Sequence, residues 1–196
     1  MSFIIFFDLE TGGVEDRHPN IQLAAVAIDE QTWREVASLE VKIRFSESDA
    51  DPEALRLNHY DREAWEREAV LPAEAVRRFC VFIDPYRSIK MISKSGKAYS
   101  VAKIAGHNSA SFDFPRLRRM FGERFMPCAF FVRDTLHRAL WWLDEHPEAP
   151  RPKNLKLATL AEYFAVSVEG ADAQAHDALT DARMAAALAR RMMEAR

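Results

Sequence analysis

The feature that most constrains this chain is a short apolar run near its start that ends in two acidic residues. The run covers residues 3–7, and Asp8 and Glu10 follow it directly. Side chains two positions apart lie on the same face of a strand. Two carboxylates about 4 Å apart repel each other by roughly 4 kcal/mol at an effective dielectric constant of about 20. Two interpretations remain for this pair: either the strand has ended and both acids face solvent, or the acids bind a cation.

A further acid lies on the core side of a helix predicted over residues 177–194. Asp181 is in register with an apolar stripe on this helix, formed by Ala185, Leu188 and Met192. A carboxylate in that position needs a cation or hydrogen-bond donors. The alternative is an acid of the first turn that interacts with the helix dipole.

Asp113 repeats this pattern on a helix predicted from about residue 114. It aligns with Leu117 and Met120, which places it on the apolar side of that helix. The alternative interpretation is a helix N-cap, because Asp113 stands two residues before Pro115. In isolation the two interpretations carry equal weight.

A histidine accompanies the last of these acids. His176 stands five residues before Asp181, and on its own it is typical of a surface histidine at a helix entrance. Its unperturbed pKa near ~6.5 nevertheless suits it to accept a proton from water at neutral pH. If the four acids converge, they can hold two divalent cations about 3.5–4 Å apart for phosphoryl displacement. Ligation by oxygen alone favours Mg²⁺ or Mn²⁺ over zinc.

The order of apolar and charged segments predicts a mixed sheet flanked by helices. Three apolar runs, at residues 3–7, 21–28 and 37–45, indicate an antiparallel meander. Two helices are expected within residues 51–83, beginning near Pro52 and Pro72. A hairpin over residues 90–104, a strand at residues 104–105, a strand at residues 130–132 and helices over residues 136–143, 155–164 and 177–194 complete the pattern. Alternating strands and helices predict an α/β fold, and the 196 residues suit a single domain, residues 1–196.

Composition adds weaker constraints. The formal net charge of −3 does not by itself indicate nucleic-acid binding. No apolar run approaches the ~20 residues of a membrane-spanning helix, so no membrane partner is expected. Cys80 and Cys128 lack metal-site spacing, which predicts buried free thiols and a reducing cytoplasm. Basic residues that could form local patches, or simply face solvent, are Arg116, Arg118, Arg119, Arg124, Arg151, Lys153 and Lys156.

Three motifs resemble those of the DEDDh exonucleases, the relatives of bacterial proofreading subunits and RNase T. The motifs are Asp8-Leu9-Glu10-Thr11, Phe112-Asp113 and His176-Asp177-Ala178-Leu179-Thr180-Asp181. The resemblance spans residues 4 to about 190, and the third motif is the most specific of the three. It implies a ribonuclease H-like fold, two Mg²⁺ ions with Mn²⁺ as a substitute, and release of nucleoside 5′-monophosphates from a 3′ end. It makes Asp8, Glu10, Asp113 and Asp181 the metal ligands, and His176 the general base.

The resemblance also points to substrate contacts and to two departures. Gly12 stands where the family usually has a second threonine, and the loop that includes Thr11, Gly12 and Val14 is expected to hold the terminal nucleotide. His107-Asn108 precedes Phe112-Asp113 with one residue more than the commonest pattern. Asn108 is expected to contact the substrate or to support the ligands, whereas His107 and Asp134 are expected to be structural. His59 is expected to be a surface histidine.

The leading hypothesis is therefore a 3′→5′ exonuclease acting on single-stranded ends, with DNA favoured. The nearest alternative is an RNase T-like 3′ exoribonuclease, because recognition of the 2′-hydroxyl depends on contacts that the sequence does not place. A second alternative is a catalytically silent module that binds nucleic acid or a polymerase. All five catalytic positions are filled, which argues against the silent module. A polymerase or repair protein remains open as a partner and would dock on the folded surface.

Overall fold

A mixed five-stranded sheet forms the centre of the molecule. The computed structural model describes residues 2–166 and 177–195. Within them the sheet order is β3-β2-β1-β6-β7, with β1–β3 antiparallel and β1, β6 and β7 parallel. The strands are β1 (Phe3–Thr11), β2 (Asn20–Asp29), β3 (Glu35–Lys42), β4 (Ile89–Ile92), β5 (Ala98–Val101), β6 (Ile104–Gly106) and β7 (Arg133–Asp134). Strands β4 and β5 pair only with each other, as a separate hairpin.

Strand β1 is apolar on both faces because helices cover both sides of the sheet. Ile5 and Phe7 lie in one core cluster, while Ile4 and Phe6 lie in a second cluster on the opposite face. Such a strand appears in the sequence as a continuous apolar run rather than an alternating one. The two acids that follow are therefore the only departure from the pattern of this strand.

The helices divide between the two faces of the sheet. Their bounds are α1 (Pro52–Leu57), α2 (Arg62–Glu68), α3 (Pro72–Ile83), α4 (Asp113–Phe121), α5 (Thr135–Glu145), α6 (Leu157–Tyr163) and α7 (Ala178–Glu194), with 3₁₀ turns at Glu47–Asp49 and Asp84–Tyr86. Helices α3 and α4 pack on the face of Ile5 and Phe7. Helix α7 packs on the other face and carries α5 and α6 on its outer side. The predicted α/β class and the flanked mixed sheet are confirmed.

Two details of the predicted elements are wrong. Residues 51–83 form three helices instead of two, because a seven-residue helix, α2, begins at its own cap. The Asp61 carboxylate accepts a hydrogen bond from the Ala64 amide at 2.9 Å, and the helix places Trp65 in the core. The strand expected at residues 130–132 lies instead at β7. The starts of α1 at Pro52 and α3 at Pro72 are confirmed.

Both cysteines are free, as predicted, with Cys128 buried and Cys80 partly buried. Within the described residues, no helix combines the length and the apolar character that crossing a membrane would require.

Candidate active site

Strand β1 does not end before its two acids. It continues to Thr11, and Asp8 and Glu10 pair with residues of β2 inside the sheet. Glu10 is only 8% exposed. The interpretation that both acids face solvent beyond the strand is therefore wrong, and the acids are held side by side at the edge of the core.

Asp181 joins this pair from helix α7. Asp8, Glu10 and Asp181 each offer a carboxylate oxygen, and the three oxygens lie within 4.8 Å of one another. Asp181 reaches the strand because α7 packs across β1 through its small buried residues Ala182 and Ala185. The predicted register of Asp181 with the buried stripe of this helix is confirmed.

Asp113 lines the same cleft as the other three acids. The cleft has a volume of about 540 Å³ and lies where the ends of β1 and β6 meet the starts of α4 and α7. Asp113 is the first residue of α4 and is 4% exposed, while Phe112 occupies the N-cap position. The alternative of Asp113 as the N-cap is thus wrong, and its carboxylate is placed in the acid cluster.

Burial and mutual repulsion raise the pKa values of these acids. Burial raises the pKa of Glu10 to about 8, and the charges of Asp181 and Asp113 add to the rise. Burial also raises the pKa of Asp8 well above its ordinary value, and nearby Asp113 and Glu10 act in the same direction. Burial raises the pKa of Asp113 to about 7, although hydrogen bonds to Ser109 and to the Leu9 backbone oppose the change.

A divalent cation fits this donor set. The strongest charges acting on Asp8 and Glu10 are those of other carboxylates, so nothing in that set neutralises them. Carboxylate oxygens are the ligands that Mg²⁺ and Mn²⁺ prefer. A buried charge of this kind requires either a proton or a cation. The cluster is therefore suited to hold metal ions at neutral pH.

The start of helix α7 is tied to strand β2 by a residue that sequence reasoning missed. The Gln22 side-chain amide donates to Asp177 Oδ1 at 3.3 Å and to Glu40 Oε1 at 2.8 Å. Asp177 in turn caps α7 by accepting from the Thr180 amide at 3.0 Å. Gln22 is 4% exposed and sits directly across from Glu10. The available signal was a glutamine inside an apolar run.

The turn after β1 explains one departure from the family pattern. A Cβ atom at Gly12 would lie 2.7 Å from the Ala50 Cβ atom, so a threonine would not fit there without a shift. The Thr11 hydroxyl donates to the Gly13 carbonyl at 2.8 Å, and the Asn58 side chain donates to the Thr11 carbonyl at 2.8 Å. Thr11 and Gly12 thus shape the turn, whereas the Val14 side chain is left 80% exposed.

Asn108 lines the cleft and is fixed by Asp134. Its backbone has a φ of 55°, and its amide donates to Asp134 Oδ1 at 2.9 Å. Asp134 also accepts from the Ala110 amide and from the Leu136 amide, both at 2.9 Å, so it is structural as predicted. His107 is likewise structural, because its ring is held between the Thr135 hydroxyl at 2.8 Å and the Leu155 carbonyl at 2.9 Å.

The candidate basic patches differ in kind. Arg116 is 4% exposed and donates to backbone carbonyls, so it is a core residue and not part of a surface patch. Arg119 is exposed and forms an ion pair with Asp16 at 3.1 Å. Lys156 is exposed and lines the cleft, which makes it the basic residue best placed to meet an anionic ligand.

The two remaining histidines of interest are not in the cleft as described. His176 lies outside the described residues. His59 is exposed, with a φ of 50°, and lines a neighbouring hollow of about 200 Å³ together with Gln22 and Asp177. The prediction of His59 as a surface residue is confirmed.

Comparison with known proteins points to nucleases. The RNase T family model, described as exonuclease, matches residues 5–189. Exonuclease I of Methylocaldum szegediense superposes with a TM-score of 0.75 at 19% identity over 99% of this chain. Escherichia coli exonuclease I bound to a dA16 oligonucleotide gives a TM-score of 0.71 at 19% identity over 100% of the chain. The zinc-bound E. coli complex with single-stranded DNA gives 0.73 at 19% identity, also over 100%.

The chain spans 41% of the length of each of these three structures. At this identity the likeness establishes a shared fold, and it confirms the ribonuclease H-like α/β architecture. A comparison with curated protein sequences found no match.

Proposed function

The chain belongs to the RNase T family of exonucleases, and from that premise we propose that it is a metal-dependent 3′→5′ exonuclease. The observation that carries the proposal is the convergence of four carboxylates from three separate elements in one cleft. Three of them place oxygens within 4.8 Å of one another. Their raised pKa values give the cleft a need for positive charge that divalent cations would meet.

Asp8, Glu10, Asp113 and Asp181 are the proposed ligands of two Mg²⁺ ions, with Mn²⁺ as a substitute. Bound in this way, the ions would lower the pKa of a water molecule and stabilise the oxygens of an in-line displacement. The protein's own contribution is to hold the four carboxylates in place. Asp8 and Glu10 are fixed by the sheet, and Asp181 is fixed by a helix that Asp177 and Gln22 anchor.

His176 is the proposed general base. In the sequence it directly precedes Asp177, the cap of helix α7, and five residues separate it from Asp181. A neutral imidazole can take a proton from water at pH 7, whereas the nearby carboxylates are committed to the metal. The products would be nucleoside 5′-monophosphates.

The proposed substrate is a free 3′ end of single-stranded DNA. The similar exonuclease I structures hold single-stranded DNA or an oligonucleotide, and the cleft here offers Lys156 for a phosphate and Asn108 for a polar contact. An RNase T-like 3′ exoribonuclease is the second candidate, favoured by the family match. A catalytically silent module is disfavoured because the four acids are all present and clustered.

The direct test is degradation of matched DNA and RNA, single- and double-stranded, each with one blocked 3′ end. We expect mononucleotides from the unblocked 3′ end with Mg²⁺ and no product with EDTA. The Asp8→Ala protein should lose at least about a hundredfold in rate, since losing even an outer partner of a metal ligand costs 10–100-fold. An Asp8→Ala protein as active as the wild type would refute the site.

Two variants complete the design. His176→Ala should lose most of its turnover while retaining bound metal, and loss of metal instead would contradict its role as base. Glu30→Gln is the matched control, because Glu30 is a partly buried acid paired with Lys103 outside the cleft. It should degrade the strand at the rate of the wild type.

A further inference from the structure

Arg116 is a buried cation that the proposed chemistry does not use. It lies on helix α4, three residues after Asp113, and only 4% of it is exposed. A buried arginine is rare unless its charge is satisfied. Its contacts therefore identify what it holds in place.

Those contacts join two segments that are far apart in the sequence. One terminal nitrogen of Arg116 donates to the Val14 carbonyl at 2.7 Å and to the Glu15 carbonyl at 3.3 Å. The other donates to the Phe112 carbonyl at 3.3 Å. The guanidinium carbon also lies 3.7 Å from the centre of the Phe112 ring, in cation–π contact. One side chain thus connects the turn after β1 to the start of α4.

Both partners carry an apolar side chain at the cleft region. Phe112 lines the acid cleft and is partly exposed. Val14 is 80% exposed, although it is anchored by its backbone. An apolar side chain held out into solvent gains nothing from burial, so its fixed position calls for another explanation.

The turn that presents Val14 is rigid. The Gly13 carbonyl accepts from the Thr11 hydroxyl at 2.8 Å, and the Glu15 amide donates to His18 Nδ1 at 3.2 Å. Gly13 has a φ of 149°, and a Cβ atom there would lie 2.2 Å from the His18 ring. Arg116 then fastens this stiff turn to α4. The separation between Val14 and Phe112 is consequently set by a single buried side chain.

We propose that Arg116 is a positioning residue that holds Val14 and Phe112 as a clamp for the base of the 3′-terminal nucleotide. The inference rests on the proposed function, since it supplies the nucleotide that the acids would attack. Apolar and aromatic side chains bind a base through its face, which every base possesses. The clamp therefore selects for the presence of a terminal base and not for its identity.

A purely structural role accounts for these contacts less well. Within the described residues, the Arg116 Nε has no hydrogen-bond partner. Leaving a buried donor unsatisfied is unfavourable, and replacing a buried ion by an apolar side chain of similar size is often neutral or stabilising. An arginine here is thus a poor choice for stability alone. It is the one side chain that can bind two carbonyl groups as a planar fork while stacking on a ring.

The test compares two 5′-labelled strands, one with a normal 3′-terminal nucleotide and one whose terminal nucleotide lacks its base. Affinity is measured by fluorescence anisotropy with Ca²⁺ in place of Mg²⁺, and gel analysis confirms that the strands stay intact. Arg116→Met should bind the normal end about tenfold more weakly than the wild type, within the range for loss of one base contact. It should bind the abasic end with unchanged affinity. Equal weakening on both ends would overturn the proposal.

A second arm separates positioning from folding. Val14→Ala should also weaken binding of the normal end, but it should add little in the Arg116→Met background, whereas independent effects would multiply. Arg116→Lys keeps the charge without the fork and should restore only part of the affinity, which provides a reading if Arg116→Met folds poorly. Additive effects of Val14 and Arg116 would contradict the clamp.

Arg119→Gln is the matched control, because Arg119 lies on the same helix and binds the same turn through exposed Asp16. It should leave both affinities unchanged. Degradation of the normal strand with Mg²⁺ is measured in parallel. A wild type that discriminates the two ends but degrades neither would refute the nuclease activity and leave the clamp supported. An active wild type that binds both ends equally would refute the clamp alone.

Discussion

The two ends of strand β1 treat a shielded glutamate in opposite ways. At the carboxyl end, Glu10 lies among other carboxylates, and burial with their repulsion raises its pKa to about 8. At the amino end, Glu30 faces Lys103, whose amine lies 2.6 Å from one carboxylate oxygen and 2.7 Å from the other. Partial burial would raise the pKa of Glu30, but the hydrogen bonds from Lys103 and Ser2 outweigh it and hold the pKa below its ordinary value.

The difference shows where the protein provides its own counter-charge and where it does not. Glu30 is balanced from within, so it contributes an ordinary ion pair between the end of β2 and the residue before β6. Glu10 and its neighbours concentrate negative charge that only a proton or an added cation can neutralise. The folded state at that end is therefore less stable without a ligand, which is a measurable property.

The largest expected effect is stabilisation by metal. Addition of Mg²⁺ at about 100 times its dissociation constant should raise the free energy of unfolding by about 2.7 kcal/mol. The gain is measured as a shift of the thermal midpoint between EDTA and saturating Mg²⁺. Asp8→Asn should abolish the shift, and Glu30→Gln should retain it. The comparison fails if Mg²⁺ stabilises the Asp8→Asn protein as strongly as the wild type.

The next effect is an opposite response to pH at the two ends. The pKa of Glu10 rises on folding from 4.5 to about 8, so the folded state binds more protons than the unfolded state between these values. In EDTA, the free energy of unfolding should therefore fall as pH rises from about 4.5 to about 8. The lowered pKa of Glu30 acts in the reverse sense, and its contribution is lost as pH falls through its folded-state pKa.

Urea unfolding at a series of pH values in EDTA measures this slope. Saturating Mg²⁺ should flatten it, because the metal replaces the proton, and Glu10→Gln should reduce it. A wild-type slope that Glu10→Gln leaves unchanged would show that other groups carry the pH dependence.

The smallest effect is at the balanced end. Lys103→Met leaves Glu30 without its ion pair and should lower the free energy of unfolding by about 1 kcal/mol, the upper part of the range for ion pairs open to solvent. The nuclease activity should not change. The double variant Lys103→Met with Glu30→Gln should recover most of the loss in chemical denaturation. A change in activity in the single variant would mean that the two ends are coupled.

The sequence predicts the parts of this contrast that depend on local pattern. Asp8 and Glu10 are conspicuous because they end an apolar run, and Asp181 because it shares a stripe with buried residues. Arg116 is misleading in the sequence, where it looks like part of a basic patch. Its role depends on a hydrogen bond to Val14, 102 positions away, which no local pattern contains.

Two further features escaped prediction for the same reason. Gln22 is important because strand pairing sets it across from Glu10 and helix packing brings Asp177 to it. Helix α2 is only seven residues long, so its periodicity is too short to separate it from its neighbours. The assignment of His176 as base depends on the motif alone, and it stays a prediction.

The contact between Gly12 and Ala50 has a consequence for how sequences of this kind can diverge. A Cβ atom at position 12 would meet the Ala50 Cβ atom at 2.7 Å and the Pro19 ring at 3.1 Å. A substitution at position 12 is thus permitted only when the chain before α1 shifts or loses its own side chain, so positions 12 and 50 should change as a pair. A protein engineer who wishes to place a threonine at position 12 should begin by changing Ala50 to glycine.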